Sequence, residues 1–509
     1  MALAILFAVT ITLVAVFFLF SKWRYTYWKR RGLTQLEPDF FYGNTKKMFT
    51  GELSTAETYR EIYRQLKSMN IRHGGAYSLL KPVYIPIDPL IIKHIIQNDF
   101  PHFTGHGFYY HENDMLSKTL FRMDGPQWKI LRAKMTPVFT VGKIKMIFET
   151  LVEKIIHLER VGRQCAAKGE PVHIKDIAAR FTSDVIASIA FGIECHSMED
   201  PDAEFRVYGR KIFRPRLLKT WLEEIVPWKI LGYTGYKTQG GGDIERFFQN
   251  IVRDTIAYRE KNNVFRKDFL HLLIQLKNRG ELSEDGSIVK EKIGDNTVTE
   301  EEIIAQCFLF FIAGFEPSAT TMTFGLFELA RNQEVQDKVR EEVRTVLEKY
   351  GGKFTYEAAQ ELVYTEKVVQ ETLRKYPPLS TLTRVCSKDY KVPGSDLVIE
   401  KGTYVQISAW GLHLDPDYFP NPEVFDPENF SVERKAARPD FTYLPFGDGP
   451  RICTGWRFGL ILSKLGLAAL LKGHRFAVNE KTKLPILMEK GSMIITARGD
   501  VWLDIEKID

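Results

Sequence analysis

Cysteine is scarce in this chain: five residues, Cys165, Cys195, Cys307, Cys386 and Cys453, are scattered over 509 positions with no short-spaced pair. That excludes a disulfide framework and a zinc ribbon, and it suits folding in a reducing compartment. Low-complexity linkers and internal repeats are missing as well. Length alone, at about 150 residues per domain, would allow three domains, but with nothing to separate them one large catalytic domain is expected over residues 46–509. Charge of one sign is also lacking. The formal net charge of +6 is spread among interspersed acids and bases, too diffuse for nucleic acid and better suited to an anionic membrane surface or an acidic partner. No glycine-rich dinucleotide fingerprint is present, so a nicotinamide or flavin site of the chain's own is not expected.

What the chain does have is apolar material. Hydrophobic residues make up 44% of it and aromatics 13%, enough for a large core, which rules out disorder, collagen and a coiled-coil rod. Met1 to Phe20 carries no charged side chain. Twenty helical residues span about 30 Å, the thickness of a bilayer's hydrocarbon core, so residues 1–21 read as a transmembrane signal anchor. Lys22, Arg24, Lys29, Arg30 and Arg31 follow at once and no acid precedes Glu37, a bias that holds residues 22–45, a basic hinge, and everything after them in the cytosol. Trp23, Tyr25, Tyr27 and Trp28 suit the headgroup layer. A cleaved signal peptide fits less well, because the apolar run exceeds the usual 7–15 residues or so and no small-x-small site precedes Ser21.

Beyond the anchor the pattern is mainly helical with a minor β region. Amphipathic periodicity predicts helices over Gly142–Ala167, Ile174–Phe191, Asp243–Arg279 and Thr299–Asn332, and short strands near Ala76–Ile87, Tyr390–Val398, Thr403–Ile407 and Ser492–Ala497. Thr299 and Glu302 form a capping box at the start of the last helix, which is apolar all round and therefore belongs in the core. Between Phe205 and Tyr236, bulky apolars alternate with Arg210, Lys211, Arg214, Arg216, Lys219 and Lys229. This is either a half-buried helix pair or a second contact with the membrane interface.

The strongest chemical signal is Phe446-Gly447-Asp448-Gly449-Pro450-Arg451-Ile452-Cys453-Thr454-Gly455, ahead of a helical run from Trp456 to Lys472. Glycines and a proline before a lone cysteine describe a tight loop that delivers its sulfur to a helix start, where amide donors lower a thiol pKa. Such a thiolate is a nucleophile or a metal ligand. A nucleophile wants a nearby histidine base, and the loop has none. A metal that accepts one protein sulfur is haem iron.

This segment resembles the haem-binding loop of the cytochrome P450 superfamily, F-x-x-G-x-R-x-C-x-G. Glu371-Thr372-Leu373-Arg374 resembles the family's E-x-x-R helix, Trp128 with Arg132 its W-x-x-x-R helix, and Ala313-Gly314-Phe315-Glu316 its oxygen-groove helix, all in the family's order. The similarity runs through the whole chain, and Arg30-Arg31-Gly32, Leu36-Glu37-Pro38 and Tyr42-Gly43-Asn44 are similar to the insect microsomal, xenobiotic-metabolising branch. The resemblance implies a haem b between the long oxygen-groove helix and the helix after the cysteine loop, with Cys453 as axial ligand. It implies Phe446, Trp128, Arg132, Arg384 and Arg451 as haem contacts, the arginines toward the propionates. It assigns Glu371 and Arg374 to bracing the loop. Two departures stand out. The family's third bracing residue is arginine in P-E-R-F, and here it is Asn429, which leaves the triad incomplete. Its usual groove threonine is Pro317, which removes an N–H and deprives the Ala313 carbonyl of its partner, leaving Glu316, Ser318 or a water to manage protons.

The implied activity is a monooxygenase that inserts one oxygen atom from dioxygen into lipophilic molecules. Its electrons come from NADPH through a separate cytochrome P450 reductase, or through a membrane b-type cytochrome, at the endoplasmic reticulum. Lys129 and Lys134 are candidate charges for that docking. A reductase-independent haem-thiolate isomerase or dehydratase and a non-catalytic haem or lipophile binder are the alternatives. Phe108, Tyr109, Tyr110, Leu116, Phe308, Phe311, Ile312, Leu379, Ser380 and Met493 are pocket candidates.

Overall fold

The computed structural model describes residues 1–508 except 215–216, 227, 239–241, 281 and 283–296. It divides into two compact units, one of residues 1–107, 380–418 and 439–452, the other of residues 108–379, 419–438 and 453–509.

The first unit is built on a four-stranded sheet in the order His73–Ser78, Lys81–Pro86, Tyr404–Ser408, Thr381–Val385. The first two strands form an antiparallel hairpin, the second pairs in parallel with Tyr404–Ser408, and Thr381–Val385 returns antiparallel. A helix over Thr55–Ser68, opened by the Ser54/Glu57 capping box, lays Tyr59, Ile62, Tyr63 and Leu66 into the core. The amino-terminal helix Ala2–Arg24 is apolar and its span to Arg31 has no buried residues across its most hydropathic window. That length and composition are sufficient to cross a bilayer.

The residues that follow the anchor correct one expectation. Tyr25, Tyr27 and Trp28 are buried in the core of the first unit, and only Trp23, 53% exposed, is free to sit among headgroups. The Trp28 indole N–H donates to the Ala76 carbonyl at 3.1 Å, and the single Tyr77 hydroxyl proton has two acceptors in reach, the Gln35 Oε1 at 2.8 Å and the Tyr25 carbonyl at 3.0 Å. Residues 25–35 are thus fastened to the first strand, because burying three rings and satisfying their polar tips outweighs leaving them at an interface.

The second unit is helical. Its centre is the long helix Glu300–Arg331, capped by Thr299 and Glu302 as the sequence predicts. Against it pack Ile174–Ile186 and Trp456–Leu471, and Val141–Lys168 packs on the last of these. A small sheet orders Val172–His173, Trp502–Lys507 and His474–Val478. The helix expected over Asp243–Arg279 is two, Gly242–Asn262 and Phe269–Arg279. Asn263 turns the chain with φ of 52°, and the Asp268 carboxylate starts the second helix by accepting from the His271 N–H at 2.8 Å. No strand forms at Ser492–Ala497, where only an isolated bridge joins Met488 and Ala497.

In the basic apolar segment, helices Leu217–Ile225 and Trp228–Tyr233 expose Leu222, Ile225, Ile230 and Tyr233. Arg216 and the side chains of Leu217, Leu218, Lys219, Trp228 and Lys229 lie outside the described residues.

Candidate active site

The loop before Cys453 is shaped by glycine where nothing else fits. Gly449 has φ of 69°, and a Cβ there would lie 1.9 Å from the Ile96 carbonyl oxygen, so the loop rests directly on the Ile95–Ile96 turn. Asp448 caps it by accepting from the Gly449 N–H at 2.5 Å. Phe446 is half-buried in this loop. Arg451, buried, reaches His106 Nδ1 at 3.5 Å within the first unit.

Cys453 itself stands just ahead of the helix Trp456–Leu471. It is the one exposed cysteine, yet desolvation is the largest influence on its thiol. A thiol that keeps accessible surface while protein surrounds it faces an interior hollow rather than bulk water. The Gly455 N–H and the Arg132 charge favour the thiolate, but burial outweighs both and the thiol pKa is raised. This corrects the expectation of a thiol depressed by the helix start: two donors recover less than the loss of solvent costs.

Arg132 shares a helix face with Trp128, four residues earlier, on Gly125–Met135. Trp128 is buried and Arg132 half-buried, its guanidinium held below the usual value by burial and partly restored by Cys453. Lys129 is exposed, but Lys134 is half-buried and donates to the Thr297 carbonyl at 2.9 Å, so it is a structural donor more than a docking charge.

On the long helix, Leu309, Ala313 and Pro317 recur at four-residue spacing and keep accessible surface, as do Ile312, Gly314 and Glu316 beside them, while Phe308, Phe310, Phe311, Phe315 and Ser318 are buried. Ala313 is outright exposed there, so this stripe is the helix face that borders a hollow. Gly314 points elsewhere: a Cβ on it would lie 2.3 Å from the Ile186 δ-methyl. Its part is therefore close approach between helices and not an opening. The helix runs on through Pro317, whose carbonyl accepts the Thr321 hydroxyl at 2.8 Å. Ser318 is buried. Burial raises the pKa of the Glu316 carboxyl, with Lys175, a hydrogen bond from Thr496 and Arg206 opposing the rise.

The pocket candidates separate into two groups. Phe308, Phe311, Tyr109 and Leu116 are packed to 2% exposure or less. Phe311 stacks on Phe315 at 5.5 Å and meets Phe205 and Phe248 edge-on or tilted, and Phe308 meets Phe248 at 5.1 Å. These four are wall packing without a free face. Phe108, stacked on Phe121 at 5.1 Å, and Tyr110, Ile312, Leu379 and Met493 retain accessible surface. Ser380 is buried, its carbonyl accepting the Trp410 N–H at 3.0 Å.

The brace is complete after all. Glu371 and Arg374 are fully buried and joined by two 2.7 Å bonds. Asn429 donates through its amide to both Glu371 oxygens at 3.3 and 3.4 Å, the Asp426 N–H adds a bond at 2.9 Å, and Arg374 donates to the Val424 carbonyl. A neutral amide and a backbone N–H replace the expected guanidinium. Arg434, bound to Asp426 and to the Asn429 oxygen, holds that amide in place.

A family model for cytochrome P450 matches residues 43–502. The chain belongs to the cytochrome P450 family. Similar proteins include the probable cytochrome P450 6a21 of Drosophila melanogaster, 40% identical over 98% of both chains. Cytochrome P450 6a9 of the same insect is 39% identical over 99% of both, and cytochrome P450 6k1 of Blattella germanica is 38% identical over 96% of this chain and 94% of its own. Membership makes this P450 a monooxygenase and implies haem.

Arg384 tests whether the residues present fit that group. It is 2% exposed, donates only to its neighbour's Thr383 carbonyl at 2.9 Å, and its Nε has no partner among the described residues. Desolvation alone pushes its pKa down to about 10. A buried guanidinium facing no protein carboxylate is a site built for an external anion, and a haem propionate is one. Sequence reasoning missed Leu309, His106 and Thr496, because an all-apolar helix hides which face is open and the other two stand outside any motif.

Proposed function

We propose that this P450 is a membrane-anchored haem-thiolate monooxygenase acting on lipophilic small molecules, xenobiotics among them. Electrons would come from NADPH through a separate reductase at the cytosolic face of the endoplasmic reticulum. The observation that carries the reading is Cys453, the most exposed of the five thiols yet inside a desolvated surrounding at a helix start. Haem held by the Cys453 sulfur would supply the oxygen chemistry, which a thiolate donor assists. The protein's own contributions follow from its residues. As the family resemblance implies, Arg384, Arg451, Arg132 and the Trp128 indole would hold the propionates. The aromatic cluster around Phe311 excludes water and leaves an apolar wall. Glu316 keeps its proton to a higher pH than an ordinary glutamate and, once ionised, accepts from the Thr496 hydroxyl, which suits a group that hands protons inward where Pro317 stands in place of the usual hydroxyl. The exposed apolars Leu222, Ile225, Ile230 and Tyr233 support a second contact with the bilayer surface.

The test is reconstitution with a reductase and a panel of lipophiles under isotopically labelled dioxygen, read by product mass. One labelled oxygen per product, dependent on NADPH, is expected. Products formed without reductase, or lacking the label, contradict the proposal.

A further inference from the structure

Away from the haem elements, the second unit gathers a set of side chains that none of the chemistry above uses. His157 lies on Val141–Lys168, Asp184 on Ile174–Ile186, and Glu199 in the segment leading to the helix Glu204–Phe213. One ligand-type atom from each falls within 4.8 Å of the other two. The chain thus brings an imidazole nitrogen and two carboxylate oxygens together from three separate stretches, where one ion pair would have sufficed to tie a loop to a helix.

The ligands differ in how they are held. Asp184 is buried and aimed by three donors: the Ser197 N–H at 2.6 Å, the Met198 N–H at 3.1 Å and the Cys195 thiol at 3.0 Å. Two of these bonds fall on Oδ1 and one on Oδ2, so they orient the carboxylate and leave an acceptor site on Oδ2. His157 Nε2 meets Glu199 at 2.9 Å, and an imidazole ligates a metal through such a nitrogen once its proton is released. Glu199 is 51% exposed, so an ion could enter and keep a water. Cations also stand near. Arg160 lies 3.7 Å from Glu199, and Lys154 pairs with Glu194.

We propose that His157, Asp184 and Glu199 form a divalent-metal site, for zinc or a similar borderline ion, that clips two long helices to the segment entering the Glu204–Phe213 helix. Zinc bonds of about 2.0–2.2 Å to nitrogen and oxygen place tetrahedral ligands roughly 3.3 Å apart, so the cluster closes by movements on the order of 1 Å. The ring proton moves to Nδ1 and the Nε2–H bond to Glu199 is exchanged for two metal bonds. The Cys195 thiol, which donates to Asp184 Oδ1 at 3.0 Å, positions that carboxylate.

The test uses untagged full-length holoprotein in detergent, stripped with a chelator and titrated with zinc against a chromophoric competitor. One zinc per chain is expected in the wild type. Loss of an outer-shell partner already costs about 10–100-fold in affinity, so His157→Gln and Glu199→Gln should each cost at least about tenfold, with haem content unchanged as the folding control. Arg160→Gln should strengthen binding by about two- to fivefold, since it removes a competing surface ion pair. A wild type that takes no zinc from the competitor overturns the proposal. So does equal affinity in the wild type and both ligand variants, and the exposed, near-isosteric Glu199→Gln keeps that comparison available if His157→Gln fails to fold.

Discussion

Arg384 carries the most quantitative expectation. Desolvation alone pushes its guanidinium down to about 10, well below the usual arginine range, a penalty of roughly 3 kcal/mol on the charged form. Because the folded value lies below the unfolded one, the native state disfavours the charged form. At every pH below about 10 the full cost is present, and it is relieved only as pH climbs from there toward the ordinary arginine range. An anion placed against Arg384 recovers part of this energy, and charge-assisted bonds to a carboxylate contribute about 1.5–3 kcal/mol. Arg384→Met should therefore release haem about 10–100-fold faster at neutral pH, and Arg384→Lys, a point charge without the planar fork, should fall between. The assay is transfer of haem to an excess of an apo-globin, followed by absorbance. Haem transfer from Arg384→Met at the wild-type rate would mean that Arg384 meets no propionate and that its buried charge has another purpose.

Removal of residues 2–20 should leave haem binding intact, whereas removal of residues 2–28 deletes the buried Trp28 and should destabilise the first unit by about 3–5 kcal/mol, as thermal unfolding of the two truncations would show; equal midpoints contradict the packing described for Tyr25, Tyr27 and Trp28. Pro317→Ala should gain up to about 3 kcal/mol of helix propensity yet turn over more slowly, while Pro317→Thr should keep more activity and leak less peroxide per NADPH. Equal coupling in all three would make Pro317 a tolerated interior proline only. Since burial raises the Glu316 carboxyl above 4.5, the folded state holds its proton where the unfolded chain has lost it. The wild type should therefore lose stability relative to Glu316→Gln as pH rises past that value, and parallel stability curves for the two would refute the assignment.

Much of this was legible in the sequence where the signal is local. The Thr299/Glu302 box announces the long helix, and the Glu371/Arg374 spacing on an apolar face announces a buried pair. Orientation and long-range partners were not. The aromatics after the anchor read as an interfacial belt because sequence shows their amphipathic character but not the strand that accepts their polar tips. The break at Asn263 is hidden by helix periodicity on both sides. Asn429 looked like a missing brace because the compensating Asp426 N–H and Arg434 come from fold geometry. The Cys453 thiol was misjudged because donors are visible at a helix start and desolvation is not. Thr381–Val385 was missed since a five-residue strand after two prolines carries little periodicity, and Trp502–Lys507 because its partners lie far away in the chain.

The central claim is that Cys453 gives its sulfur to haem iron, and the absorption spectrum of the reduced carbon monoxide complex tests it most directly. The wild type should show the thiolate-type band, and Cys453→Ser, whose hydroxyl does not ionise near neutral pH, should lack it while still reaching the membrane. Persistence of that band in Cys453→Ser would move the ligand to another cysteine and contradict the account.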